Sequence, residues 1–223
     1  MLKRTIDILL AALGLAVLSP LLALAALAVR LSSPGPVFFR QERVGRGFKP
    51  FFILKFRSMV HDAPQRGAAI TSGEDPRITR VGRVLRATKI DELPQLVNVL
   101  RGEMSLVGPR PEVPKYVDLF RADYEEILRV RPGITDLASL KYHDEAGILG
   151  QAEDPEREYV ERVLPEKIKL AKEYVARSSV LFDLRVILAT VVRLVCDRVS
   201  RWFRRRPAAD QSRNERASAP ERR

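Results

Sequence analysis

The sequence predicts a helix-rich α+β fold with an associated β-hairpin, attached to a membrane through its N-terminal helix. Three observations carry this reading. Ile8 to Val29 is a run of 22 residues without a charge. Two short segments rich in aromatic and β-branched residues flank the glycine turn Gly45-Arg46-Gly47. Apolar residues recur at helical spacing from Leu93 to Leu100 and from Leu184 to Val199.

The apolar run comes first. At ~1.5 Å per residue a helix of that length reaches roughly 33 Å, enough to cross a bilayer. It is too long for the apolar part of a signal peptide, and no small-residue cleavage site closes it. Ser19-Pro20 lies in its middle. Proline removes a backbone hydrogen bond, so a kink is expected, and the Ser19 hydroxyl can satisfy a freed carbonyl. Lys3 and Arg4 precede the run; Arg30, Arg40, Arg43 and Arg46 follow it. Cationic residues favour the cytoplasmic side. A kinked helix that enters one leaflet and returns puts both basic ends there. A single-pass helix with a mild kink stays open beside it.

Val37 to Val44 and Pro50 to Arg57 read as the hairpin. Lys55 and Arg57 alternate with Phe56, so both cations are expected on one face. Residues 60–76 carry two prolines and two glycines and read as a mobile loop. Arg80, Arg83 and Arg86 then form a basic stripe at helical spacing, which in most proteins is only a solvated face. It runs into KIDELPQLVNVLRGEMSLVGPRPE. Here Asp91 is expected as an N-cap, Pro94 in the first turn, Leu93, Leu96, Val97 and Leu100 as the apolar face, and Gly102 as the stop. A cap needs only one acid, yet Glu92 stands beside it. The helix end and the arginines are expected to keep both carboxylates ionised. Ionised carboxylates can hold a divalent metal or act as nucleophiles.

Further on, Pro114 to Val130 and Glu158 to Ala176 read as helices, the second with Pro165 as a kink or boundary. Arg131 to Thr135 reads as a turn. From Asp183 to Arg204, Leu184, Ile187, Leu188, Val191, Val192, Val195 and Val199 oppose Arg193, Asp197, Arg201 and Arg204, ahead of Trp202 and Phe203. Such a basic amphipathic helix suits a membrane interface, and its first half equally suits packing on the domain. The residues after Arg206 have too little apolar content to fold. The expected organisation is therefore a membrane helix over 1–31, a folded domain over 32–182, an interfacial helix over 183–205 and a disordered basic tail over 206–223.

Composition narrows the partner. The net charge is +11 and 46% of the residues are hydrophobic. Residues 40–89 carry +8, residues 112–166 carry −7, and residues 201–223 carry +5. Basic regions beside a membrane segment point to anionic lipid or a nucleotide; with little aromatic interleaving, nucleic acid is not expected. A single cysteine, Cys196, excludes an intrachain disulfide framework and fits a reducing compartment. His61 and His143 are far apart, and no zinc, Walker A, Rossmann or Gly-x-Ser-x-Gly pattern is present.

The chain resembles the bacterial sugar transferases, the monotopic phosphoglycosyl transferases that act on polyprenyl phosphate. The matching segments are KRTIDILL, the Ser19-Pro20 break, PGPVFFRQERVG, FFILKFRSM, RITRVGRVLR, DELPQLVNVLRGEMSLVGPRPE, RPGIT and DLRVIL, in order over residues 3–192. The resemblance implies a re-entrant helix broken at Ser19 and Pro20, with both ends on the cytoplasmic face of the bacterial inner membrane. It also implies amphipathic helices resting on membrane lipids. The implied reaction moves a phosphosugar from a nucleoside diphosphate sugar, usually a UDP-sugar, to undecaprenyl phosphate, releases UMP and starts a surface glycan. Residue by residue, it implies Asp91 as nucleophile, Glu92 as Mg²⁺ ligand, and Lys55, Arg86 and Arg110 as phosphate or nucleotide contacts. One departure stands out. By count His143, with Lys141 two residues before it, occupies the place of a phosphate-binding arginine common in the family. A homo-oligomer is compatible with the sequence. The competing expectation is a non-catalytic, membrane-anchored scaffold that binds anionic lipid, which metal-dependent UMP release would exclude.

Overall fold

A computed structural model describes residues 1–63, 75–142 and 145–204. The expected loop therefore lies largely outside the described residues. So do His143, the tail after Arg206, and the side chains of Trp202 and Phe203.

Helix α1 (Leu2–Ser32) is one continuous helical element with Pro20 inside it. The Ser19 hydroxyl donates to the Ala16 carbonyl at 2.8 Å. That carbonyl is the one Pro20, lacking an N–H, leaves without its i→i−4 partner. Asp7, Ala11, Ala25 and Val29 are buried, and they lie on one stripe. Most of the remaining perimeter is exposed leucine and valine, with Leu9, Leu13, Val17, Leu24 and Leu27 all more than half exposed. The helix is long and apolar enough to cross a membrane.

Strands β1 (Phe38–Val44) and β2 (Pro50–Phe56) form the expected antiparallel hairpin, with Phe39 opposite Lys55 and Val44 opposite Pro50. Helix α2 (Arg80–Thr88) follows, capped by Thr79, whose hydroxyl accepts from Gly82 N–H at 2.8 Å. Gly82 is required sterically: a Cβ there would stand 1.8 Å from the Ser58 carbonyl oxygen. Lys89 closes α2 in the left-handed conformation, and the chain restarts as a 3₁₀ turn over Ile90–Glu92. Helix α3 (Gln95–Arg101) stops at Gly102, whose φ is 83°. Ala11, Phe51, Ile53, Leu96, Val99 and Met104 pack α1, β2 and α3 together.

Three elements differ from expectation. The Arg131–Thr135 segment is not only a turn. Its last three residues form strand β4 (Gly133–Thr135), which pairs in parallel with β3 (Ser105–Val107). The approach is close because two glycines meet: a Cβ on Gly133 would lie 2.0 Å from Gly108 N. The Pro114–Val130 helix is two, α4 (Pro114–Leu119) and α5 (Arg121–Ile127), with Phe120 non-helical between them. In α3 the buried face is Gln95, Leu96, Asn98 and Val99, while Leu100 is exposed. Two amides thus replace part of the expected apolar face.

Short helices α6 (Leu137–Lys141), α7 (Glu145–Leu149) and α8 (Pro155–Glu158) lead through a π turn over Tyr159–Val163 into α9 (Leu164–Arg177), where Pro165 sits in the first turn. Helix α10 (Val180–Arg204) begins three residues before the expected Asp183. It uses both faces: Val186 is buried, whereas Leu181, Leu184, Leu188, Val191 and Val192 are exposed. A second core of Val44, Tyr116, Val117, Tyr124, Ile127, Tyr159, Leu164 and Ile168 joins the hairpin tip to α4, α5 and α9.

Candidate active site

The site is built where β2, the 3₁₀ turn and the Pro109-Arg110-Pro111 segment converge. Lys55 projects from β2. Its register is set by Asn98, whose Oδ1 accepts from Leu54 N–H at 3.0 Å and whose Nδ2 donates to the Phe52 carbonyl at 2.8 Å. Arg110 follows β3. Its backbone N–H donates to the buried Asp136 carboxylate at 3.2 Å, and the other Asp136 oxygen caps α6 by accepting from Ser139 N–H at 2.7 Å.

These two cations meet on Glu92. Lys55 Nζ lies 2.8 Å and Arg110 Nη2 2.6 Å from Glu92 Oε1, with Arg110 Nη1 3.4 Å from Oε2. Burial alone would raise the Glu92 pKa, but Arg110 and Lys55 outweigh it and hold the group well below the ordinary value. Glu92 in turn raises the pKa of Arg110. Burial lowers that of Lys55, and the Glu92 charge opposes it. Glu92 is therefore a charged, cation-locked carboxylate.

Asp91 is its opposite. It is 8% exposed, and Oδ1 is buried with no hydrogen-bond partner. Burial, reinforced by the neighbouring Glu92 charge, raises its pKa, while Lys55, Lys89 and Arg86 act against this. Two expectations are corrected here. Asp91 does not cap α3: it sits inside the 3₁₀ turn, and Pro94 occupies the cap position without a side-chain bond. Nor does its surrounding stabilise the charged form as it does for Glu92. Low hydrogen bonding and burial beat the helix end.

The other expected residues scatter. Arg86 is half-buried on α2 and its charge reaches Asp91, whereas Arg80 and Arg83 on the same stripe are exposed. Arg57 does not join Lys55. Its guanidinium donates to the carbonyls of Pro34 and Ser33, both at 2.7 Å, and of Val29 at 3.4 Å, closing the C-terminal end of α1. Lys141 is exposed and paired with Glu166 at 2.5 Å. Tyr142 donates to the same Glu166 carboxylate. Three contributors were not foreseen from sequence: Asp136, Asn98 and Gln95, the last 1% exposed with a buried, unpartnered Nε2. The only sequence sign of them was polarity inside an otherwise apolar helix or just before one.

A hairpin lysine, an Asp-Glu turn and a Pro-Arg-Pro segment, carried beside a long apolar helix, define a membrane-associated transferase of the bacterial sugar transferase family. The chain belongs to that family, whose model matches residues 1–197. It is 44% identical over 196 residues to the UDP-glucose:undecaprenyl-phosphate glucose-1-phosphate transferase of Caulobacter vibrioides, covering 86% of this chain and 69% of the relative. It is 40% identical over 196 residues to the UDP-N-acetylgalactosamine-undecaprenyl-phosphate N-acetylgalactosaminephosphotransferase of Aeromonas hydrophila, covering 85% of this chain and 42% of that protein. It is also 40% identical over 201 residues to the exopolysaccharide production protein PSS of Rhizobium leguminosarum bv. phaseoli, of which it spans 94%. Several of the relatives are thus much longer than the matched region.

Proposed function

We propose that the protein transfers a phosphosugar from a UDP-sugar to undecaprenyl phosphate, releasing UMP, and so initiates assembly of a surface glycan. The observation that carries this reading is the contrast at the turn: a buried carboxylate without hydrogen bonds beside one held by two cations. Relatives named for glucose and for N-acetylgalactosamine leave the sugar open.

In this mechanism Asp91 attacks the phosphorus next to the sugar. An under-hydrogen-bonded carboxylate is the better nucleophile, and covalent catalysis divides one hard displacement into two. Lys55 and Arg110 neutralise the approaching diphosphate, and Arg86 lowers the local negative potential. Glu92 holds those cations in place and screens them until substrate arrives. Two adjacent carboxylates fit Mg²⁺, which commonly takes one or two carboxylates plus substrate phosphates. Glu92 would hold the ion, which would add charge neutralisation.

The topology we propose is re-entrant, with both ends of α1 on the cytoplasmic face. It is supported by hydrogen bonds at both ends to one domain. Lys3 Nζ reaches the Val107 carbonyl at 3.0 Å, Arg4 the Val99 carbonyl at 2.7 Å, and Asp7 accepts from the Ser105 hydroxyl at 2.8 Å. Arg57 holds the other end. The exposed apolar faces of α1 and α10 then meet membrane lipid, and Asp91 sits near headgroup depth, where the acceptor phosphate lies. The test is Asp91→Asn with a labelled UDP-sugar panel and no acceptor: wild type should release UMP once per enzyme and the variant none. Wild-type-like release by Asp91→Asn would sink the nucleophile assignment.

A further inference from the structure

Two buried polar atoms next to the site lack partners: Asp91 Oδ1, an acceptor, and Gln95 Nε2, a donor. Buried polar groups are nearly always hydrogen-bonded, so an orphaned pair of opposite kind calls for an explanation. The two residues are four apart. Leu93 and Pro94 both have right-handed helical dihedrals, and α3 continues from Gln95. Residues at that spacing are neighbours on one face of a helical segment. Gln95 is also costly to place there, since the residue is 1% exposed and its Nε2 is buried without a partner.

We propose that Gln95 is a positioning residue for Asp91, its Nε2–H donating to Oδ1 when charge returns to that carboxylate during the second half of the reaction. The inference rests on Asp91 being the nucleophile. In the first step an Asp91 oxygen bonds to phosphorus, and the phosphorus–oxygen bond to UMP breaks, its electron pair leaving with UMP. In the second, an oxygen of the acceptor phosphate bonds to phosphorus, and the Asp91–phosphorus bond breaks, its pair returning to the carboxylate. A donor bound to Oδ1 stabilises that leaving carboxylate. In this structure both atoms are without a partner, and the proposed bond belongs to the transition state of the second step, as the Asp91–phosphorus bond breaks.

The test is Gln95→Met in the full-length protein in nanodiscs. Methionine keeps the length and packing and removes the donor. The expected result is an unchanged or raised melting temperature, because an unsatisfied buried N–H is gone. The UMP burst without acceptor and the KM for UDP-sugar should stay as in wild type. Turnover with undecaprenyl phosphate should fall roughly ten- to a hundredfold, as for loss of a hydrogen bond to a charged group. The covalent phosphosugar on the protein should accumulate, visible by intact mass. Wild-type turnover overturns the proposal, as does equal slowing of burst and turnover, or a melting temperature that falls with activity. Asp91→Asn run in parallel separates the two ideas. If it still releases UMP, the nucleophile reading fails; if it is inert while Gln95→Met turns over normally, only the role of Gln95 fails.

Discussion

Lys3 and Asp183 are 180 residues apart in sequence and 2.5 Å apart in space. Asp183 also accepts from the Tyr174 hydroxyl at 2.7 Å, and that hydroxyl oxygen lies 3.0 Å from the Val107 carbonyl, to which Lys3 donates. One buried carboxylate, with Tyr174 beside it, therefore ties the start of α1 to α9, α10 and β3. Asp183→Asn should lower stability by about 1–3 kcal/mol, the usual effect of weakening a hydrogen bond to a charged group. Thermal unfolding in detergent would register it, and an unchanged melting temperature would remove the tie from the account.

Arg110 grips Glu92 with two nitrogens. Lysine keeps the charge but not the fork, so Arg110→Lys is not conservative here. We expect kcat/KM for the UDP-sugar to fall roughly tenfold or more, while association with liposomes is unaffected. Steady-state kinetics with wild-type values would show that charge alone suffices.

Gly133 and Gly47 should respond differently to alanine. At Gly133 a Cβ would collide with the Gly108 backbone at 2.0 Å, so the β3–β4 pair must separate. A loss of about 2–4 kcal/mol is expected, together with activity, since Arg110 follows that strand. At Gly47, with φ 66°, nothing lies within 4 Å of the added atom, and only left-handed strain of about 1 kcal/mol remains. Denaturant titration of both variants compares them directly; equal losses would refute the steric argument.

Glu112 predicts the acid side of the stability profile. It is buried, accepting from Tyr159 Oη at 2.6 Å and Arg43 Nη1 at 3.0 Å. Burial would raise its pKa, but Lys167 and Arg43 win and hold it below the ordinary 4.5. A depressed carboxylate stabilises the fold fully above its unfolded pKa and loses that contribution as pH falls through the native one. Stability should therefore hold down to about pH 5 and decline below it. Glu112→Gln should be less stable at pH 7 and show a shallower acid decline. An unchanged slope would assign the acid transition to other groups.

What could be read from the sequence was what short range determines. The apolar run, the Gly45–Gly47 hairpin, the Gly102 stop and the Ser19 bond to Ala16 all follow from residues within a few positions of one another. The acidic pair and its basic neighbours were legible as chemistry. Their local geometry was not, because Lys89 takes the left-handed conformation, ends α2 early and shifts the chain into a 3₁₀ turn that swallows the expected cap. The β3–β4 pair joins residues nearly thirty apart through three-residue strands, and no periodicity survives at that length. Gln95, Asn98 and Asp136 were missed for a related reason. A buried polar residue is recognised by its partners, and those are set by tertiary contact.

Asn98 shows how far such a contact can reach. By offering one acceptor to Leu54 and one donor to Phe52, a single side chain imitates the missing third strand and closes the inner border of the hairpin. It thereby acts as a ratchet pawl. A slip of β2 by one residue would swing every side chain to the opposite face, taking Lys55 away from Glu92. The charge balance around Glu92 is thus indexed by an uncharged amide, and an error in strand alignment would be felt as a broken ion pair in the acidic turn.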